Sequence, residues 1–128
     1  MTARYGDSRR YPWGDADWDE ERANIEGYIG HPTSIGVYPK GVTPAGLYDA
    51  SGNVWEWTLS LYQDYPYLPD NLRNDPTAEG YRGVRGGSWL DALGGARCAF
   101  RNRLLPVNFT FDLDLGFRVV VSLADSAF

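Results

Sequence analysis

Hydrophobic and polar residues alternate most regularly towards the end of the chain. Val107, Phe109, Phe111, Leu113, Leu115, Phe117 and Val119 take every second position, with Asn108, Thr110, Asp112, Asp114, Gly116 and Arg118 between them. A repeat of two matches a half-buried strand, and residues 115–121 are expected to form a core strand. Elsewhere the pattern is short and interrupted. Residues 17–23 (DWDEERA) predict one short helical turn, with Asp17 as its cap and acids crowding its first turn. Residues 35–38 predict a short strand, residues 39–45 a turn, and Gly86-Gly87-Ser88-Trp89 a strand packed tightly at its glycines. Residues 59–72 alternate Tyr with Pro and Asp; the prolines exclude a regular element, so an ordered surface loop pinned by its tyrosines is expected. The polar residues 71–82 are the expected mobile section.

Composition supports a fold of turns and aromatic slabs. The 128 residues suit one domain with a limited core, and the 15 Gly, 8 Pro, five Trp and nine Tyr favour a loop-rich structure packed on aromatic rings over long helices. Residues 1–10 read as a polar lead-in and residues 11–128 as the domain. A net charge of -5 argues against binding a phosphate backbone, so nucleic acid is not an expected partner. No apolar run is long enough to cross a bilayer, so no membrane association is expected. The lone cysteine, Cys98, has no intrachain disulfide partner, and nothing at the start resembles a signal peptide. A cytoplasmic setting is expected, unless a preceding part of a longer polypeptide carries a signal.

The densest chemistry lies in residues 46–58, GLYDASGNVWEWT. Asp49, Ser51, Gly52, Asn53 and Glu56 place a polar turn directly beside Trp55 and Trp57. Two readings are open. The turn binds a cation such as Ca²⁺, which takes carboxylate, amide and carbonyl oxygens from compact irregular loops, or it is an Asx-type turn entering a strand whose tryptophans are core. The single histidine, His31, cannot build a multi-histidine metal site or a Ser/His/Asp set, and an exposed loop position is expected for it.

Four motifs in order give the chain a resemblance. GLYDASGNVWEWT, Val84-Arg85-Gly86-Gly87-Ser88-Trp89, Arg97-Cys98-Ala99-Phe100-Arg101 and Gly116-Phe117-Arg118 are similar to the C-terminal part of the formylglycine-generating enzyme (sulfatase-modifying factor) superfamily. The resemblance implies an α+β, C-type-lectin-like fold, loop-rich with short antiparallel strands and few short helices, in which Tyr11-Pro12-Trp13-Gly14 matches a turn that buries Trp13. It also implies structural Ca²⁺, held by the side chains of Asp49 and Glu56 and the backbone carbonyls of Gly52 and Val54. A second family calcium site falls on Asn24 and Ile25. There the following loop, residues 26–33, is short and lacks the family's returning Asp, so hydrogen bonding to loop backbone is the expected role of Asn24.

The same resemblance bears on catalysis. Counting inward from the flanking motifs, the two copper-binding thiol positions of the enzymes fall on Asp91 and Leu93, and Cys98 matches a structural cysteine. Soft thiolates select Cu(I), so no copper is expected here. Related ergothioneine-type iron enzymes take their histidines from another domain.

The segment 84–120 also resembles the variable region of the lectin-fold proteins of diversity-generating retroelements, which ends near Gly-Phe-Arg-Val-Val. That resemblance implies a non-catalytic domain whose hypervariable surface binds a protein or peptide. The expected contact residues are Trp89, Leu90, Asp91, Leu93, Phe100, Leu104, Leu105, Val107, Phe109 and Phe111. Leu104 and Leu105 read as binding residues, whereas Phe109 and Phe111 divide between core and surface. Arg97 and Arg118 read as semi-buried struts paired with acids or carbonyls. Two other classes stay open: part of an oxidoreductase whose catalytic residues lie elsewhere in a longer chain, and a sensor fused to a protease or kinase.

Overall fold

The computed structural model describes residues 8–68, 72–106 and 113–120. Its regular structure is a single mixed sheet of four strands and one turn of 3-10 helix, Pro39–Gly41. The strands are β1 (Trp55–Leu61), β2 (Arg82–Arg85), β3 (Asn102–Leu104) and β4 (Leu115–Gly116), in the order β3-β2-β1-β4. β1 runs antiparallel to β2, β2 antiparallel to β3, and β4 parallel to the start of β1.

β1 forms because WEWTLSL is rich in aromatic and β-branched residues, which suit a pleated, half-buried surface. Its register puts Glu56 opposite Arg85 and Trp57 opposite Val84, then slips before Leu61 meets Arg82. Beside the irregularity the Thr58 hydroxyl donates to the Gly83 carbonyl at 2.9 Å, so a side chain supplements the disturbed ladder. Val84 and Trp55 are buried, and Trp55 meets Phe100 at 5.9 Å between ring centroids.

The buried cluster of Ala23, Ile25 and Ala96 is small, and Trp13, Trp18 and Leu93 pack around it. Much of the order comes instead from backbone bonds between irregular loops. Asn53 N donates to Asn24 O at 2.9 Å, Gly52 N to Gly86 O at 2.8 Å, Trp89 N to Asn53 O at 3.0 Å, and Glu26 N to Asp91 O at 2.9 Å. These bonds lace residues 24–27, 52–53 and 86–91 into one layer. Side chains add to it: Asn53 accepts from Thr33 N at 2.8 Å and donates to Thr33 O at 3.0 Å, and Ser51 Oγ donates to Ala96 O at 2.6 Å. Gly52 has a φ of 79°, and a Cβ there would stand 2.6 Å from the Asn24 carbonyl oxygen. Only glycine lets the two loops approach this closely.

Several local expectations are corrected. Residues 17–23 form a turn centred on Asp19, which accepts Arg22 N at 3.1 Å through its carbonyl and Glu21 N at 3.0 Å through its carboxylate; Asp17 is not the cap. Residues 35–38 are not a strand, because Gly36 turns at a φ of 90° and Ile35 is exposed. Gly86-Gly87-Ser88-Trp89 follows the strand rather than forming one: Gly86 and Gly87 have φ of 96° and 73°, which carry the chain out of the ladder after Arg85. Among the described residues the tail pairs only through Trp55↔Leu115 and Glu56↔Gly116, and Phe117 and Val119 beyond it are 74% and 78% exposed. Its period-two pattern therefore does not make a core strand over residues 115–120, and Val121 lies outside the described residues. Trp13 is half-buried, stacked on Tyr11 with ring centroids 4.9 Å apart.

Candidate functional site

The loop of residues 46–54 is closed by an arginine from the tail. Arg118 Nε donates to Glu56 Oε2 at 2.6 Å and its Nη2 to Glu56 Oε1, while Nη2 and Nη1 reach the carbonyls of Asp49 at 2.9 Å and Tyr48 at 3.2 Å. The forked guanidinium thus ties two residues of the loop, and Glu56 of β1, to the tail just after β4. The Glu56 carboxylate holds Arg118 still further towards its charged form. Asp49 has a positive φ of 51°, and its Oδ2 accepts Gly36 N at 3.1 Å. Burial raises the Asp49 pKa above the usual carboxylate range, partly offset by that N–H and by Arg118. A Ca²⁺ ion on Asp49, Gly52, Val54 and Glu56 would have to share Glu56 with Arg118. Two carboxylate oxygens carry about four lone-pair positions, which makes such sharing compatible with these residues.

At the neighbouring Asn24 and Ile25, Asn24 is 1% exposed and its Nδ2 donates to His31 O at 2.9 Å, a bond to loop backbone as expected. Its Oδ1 is buried with no hydrogen-bond partner among the described residues. Ile25 is fully buried in the core cluster. His31 is exposed.

The expected contact residues separate into several environments. Asp91 Oδ2 accepts Ser88 N at 2.8 Å and Ser88 Oγ at 2.7 Å, closing the turn after the two glycines. Leu93 packs on Ala23, Ile25 and Ala96, and its N–H donates to Glu26 Oε1 at 2.6 Å. Trp89 is half-buried, its indole Nε1 without a hydrogen-bond partner among the described residues, and Phe100 leans on Trp55. Leu90 is 58% exposed and Leu105 40%, with Leu104 between strand and solvent on β3. Val107, Phe109 and Phe111 lie outside the described residues. Of the two expected struts, Arg118 is one, whereas Arg97 is exposed; its Nε donates to Gly94 O at 2.9 Å and its guanidinium lies 6.0 Å from the Phe100 ring centroid.

The sheet carries a second feature. Thr58 and Ser60 of β1, Gly83 and Arg85 of β2, and Arg101 just before β3 line an open cleft of roughly 320 Å³, closed on one side by Tyr62, Tyr65, Tyr67 and Arg73. Arg101 lies between two rings, 4.3 Å from the Tyr62 centroid and 4.2 Å from that of Tyr65, and Arg73 lies 4.9 Å from the Tyr67 centroid. Each such contact is worth about 0.5–1 kcal/mol at exposed sites and more where water is excluded. Arg103 extends the row over Tyr62 and Tyr81. Arg85 Nη1 donates to Phe100 O at 2.9 Å, and its Nη2 approaches the Tyr65 hydroxyl at 3.4 Å.

The sequence marks the tyrosines of residues 59–72 as pins but does not join them to Arg73, Arg85 and Arg101. The signal was present as compositional asymmetry: residues 62–67 (YQDYPY) supply three rings, and residues 97–103 (RCAFRNR) three cations.

Comparison with known proteins fits this geometry. The domain model "Sulfatase-modifying factor enzyme 1-like domain" (FGE-sulfatase) matches residues 1–123. The hercynine oxygenase of Mycolicibacterium thermoresistibile is 39% identical over 110 residues, covering 80% of this chain and 25% of its own length. The serine/threonine-protein kinase pkn1 of Chlamydia pneumoniae is 35% identical over 116 residues, covering 85% of this chain and 17% of the kinase. The chain thus spans a quarter or less of these relatives. Among solved structures, Treponema denticola variable protein 1 superposes with a TM-score of 0.65 at 25% identity, over 90% of this chain and 41% of that one. Its loop-rich architecture and small mixed sheet are those of that C-type-lectin-fold variable protein. The laced GLYDASGNVWEWT loop, the Arg118 closure and the match over residues 1–123 place the chain in the sulfatase-modifying factor enzyme 1-like (formylglycine-generating enzyme) domain family.

Proposed function

We propose that the chain is a non-catalytic ligand-binding domain of this family, a variable-protein-like scaffold that presents part of residues 84–120 to a protein or peptide. The observation that carries this reading is the likeness to Treponema denticola variable protein 1 over 90% of the chain. The engaged state of Asp91 and Leu93 supports a structural role at the positions where the family's enzymes hold copper, with neither side chain offering a soft ligand. Exposed Leu90 and Leu105 are the contact residues best supported on the described surface. The laced loop holds the frame, with structural Ca²⁺ on Asp49, Gly52, Val54 and Glu56 as part of that proposal.

Two experiments test it. Sequencing the gene and its flanks across isolates is expected to find substitutions concentrated in the codons of residues 90–113, with a template copy beside a reverse transcriptase; an invariant segment with no template removes the diversified reading. Chelation with EGTA is expected to lower the melting temperature of the wild type and to leave Glu56→Ala unmoved, because an ion that binds only the folded state stabilises it by mass action. Equal melting curves with and without chelator remove the calcium.

A second reading is favoured by one observation, the 39% identity to a hercynine oxygenase. There the chain would be part of an iron-dependent oxidoreductase whose metal ligands lie elsewhere in a longer polypeptide. Iron-dependent oxygen consumption by the longest natural form would support it, and none in the presence of iron and thiol substrates would exclude it. A signalling role beside a kinase rests on the Chlamydia relative alone.

A further inference from the structure

The arginines of this chain fall into two groups by what satisfies them. Among the described residues, Arg22 pairs with Asp19 and Arg118 with Glu56, and Arg82 is buried in a cage of carbonyls from Asp75, Pro76 and Ala78. No carboxylate among the described residues pairs with Arg73, Arg85 or Arg101, the three guanidinium groups of the sheet-face cleft. Arg73 is the sharpest case. It is 4% exposed, and a buried cation is costly unless paired; among the described residues no carboxylate pairs with it. Its Nε donates to Gln63 Oε1 at 3.2 Å and its Nη2 to Asp64 O at 2.7 Å; Nη1 has no protein acceptor among the described residues. Among the described residues the nearby acids do not compensate it. Glu56, opposite Arg85 in the ladder, is held by Arg118, and Asp64 is exposed and meets Arg73 through its backbone carbonyl.

Three positive groups therefore converge on one cleft in a protein whose net charge is -5. The rings also set their direction. The Arg101 guanidinium lies over the Tyr62 and Tyr65 rings, and its Nη1 already donates to Gln63 O at 2.6 Å, which leaves its remaining N–H donors for a ligand. An in-plane fork is the geometry that binds a carboxylate or phosphate through parallel hydrogen bonds.

We propose that this cleft is an oxyanion-binding site that takes a carboxylate or phosphate group on Arg101 and Arg73, with Arg85 and the Tyr65 hydroxyl beside them. As the anchor of a peptide ligand it rests on the binding role proposed above; as a site for a free anion it stands alone. Thr58 and Ser60 supply neutral hydroxyls to the floor, and Gly83, lacking a side chain, leaves the floor open.

The test is calorimetric titration of the full chain with inorganic phosphate and with three acetylated, amidated pentapeptides whose central residue is phosphotyrosine, glutamate or glutamine. The two anionic peptides are expected to bind at least about tenfold tighter than the glutamine peptide, and to weaken as NaCl is raised. Arg101→Gln is expected to remove about tenfold or more of that affinity, while Arg97→Gln, an exposed charge outside the cleft, changes it by less than about twofold. Should Arg101→Gln fail to fold, Tyr65→Leu keeps every charge, removes one ring from Arg101, and is expected to weaken anion binding several-fold. Phosphate binding that no peptide matches would support the site, name a free anion as its ligand, and overturn the peptide reading. A glutamine peptide bound as tightly as the anionic ones would keep the peptide reading and overturn the oxyanion site. So would no binding of any anionic probe, or equal losses in Arg97→Gln and Arg101→Gln.

Discussion

Arg118 and Arg101 lie in the same half of the chain and meet opposite fates. Arg118 is gripped by both oxygens of Glu56 and two loop carbonyls; Arg101 is gripped by rings, gives one N–H to a carbonyl, and meets no acid among the described residues. The first arrangement gives the cation a carboxylate and four hydrogen bonds and so locks the loop to the sheet. The second holds the guanidinium against rings and gives it no acid among the described residues. Holding and the proposed binding thus occupy opposite ends of β1, one built from complementary partners and the other from one-sided ones.

The holding region is expected to break most severely at Gly52. Gly52→Ala places a Cβ 2.6 Å from the Asn24 carbonyl at a φ of 79°, and the strain and displacement are expected to cost about 3 kcal/mol or more in urea unfolding. Wild-type stability in that variant would mean that the two loops are not laced as described. Next comes the closure itself. Arg118→Met strands the Glu56 carboxylate beneath the tail, so a loss of about 2 kcal/mol is expected, and pairing it with Glu56→Gln in a double-mutant cycle should recover part of that loss. Additive losses would show that the pair contributes nothing by its contact.

The cleft should be far more tolerant. Tyr65→Leu, at a residue 62% exposed, is expected to change stability by less than about 1 kcal/mol, even though it disturbs anion binding. A loss as large as that at Arg118 would make the ring stack part of the frame and blur the division between the two regions. The smallest effect concerns Asp49. Its raised pKa means that the folded state keeps the proton at pH values where the unfolded chain has released it, so stability falls as pH rises from the ordinary carboxylate range through the raised value. In chelator, Asp49→Asn is expected to remove that decline and to be slightly more stable at neutral pH. A variant that retains the same decline would show that Asp49 is not its source.

Much of the frame was legible in residue order. GLYDASGNVWEWT announced a polar turn against tryptophans, and that loop is where residues 24–27 and 86–91 are laced together, because Asn and Gly at adjacent positions supply both side-chain bonds and close backbone approach. The tail misled for a related reason. Alternation specifies two faces of a strand, but burial requires something to cover one of them, and β4 has a pairing partner for only two residues. Asp17, Gly86 and Gly87 were misread because propensity fixes a tendency, while Asp19 and the positive φ of the glycines decided where the turn closed and the strand stopped.

By itself, then, the order of residues determined the family, the loop-rich aromatic character and the organising turn, since each is carried by neighbours in the chain. Only the tertiary structure decided which arginine answers to which group. Arg73, Arg85 and Arg101 are spread over residues 73–101, and the tyrosines that orient them lie at residues 62–67. Charge pairing acts through space at a few ångströms, so a composition that contains enough acids for these arginines says nothing of where those acids stand.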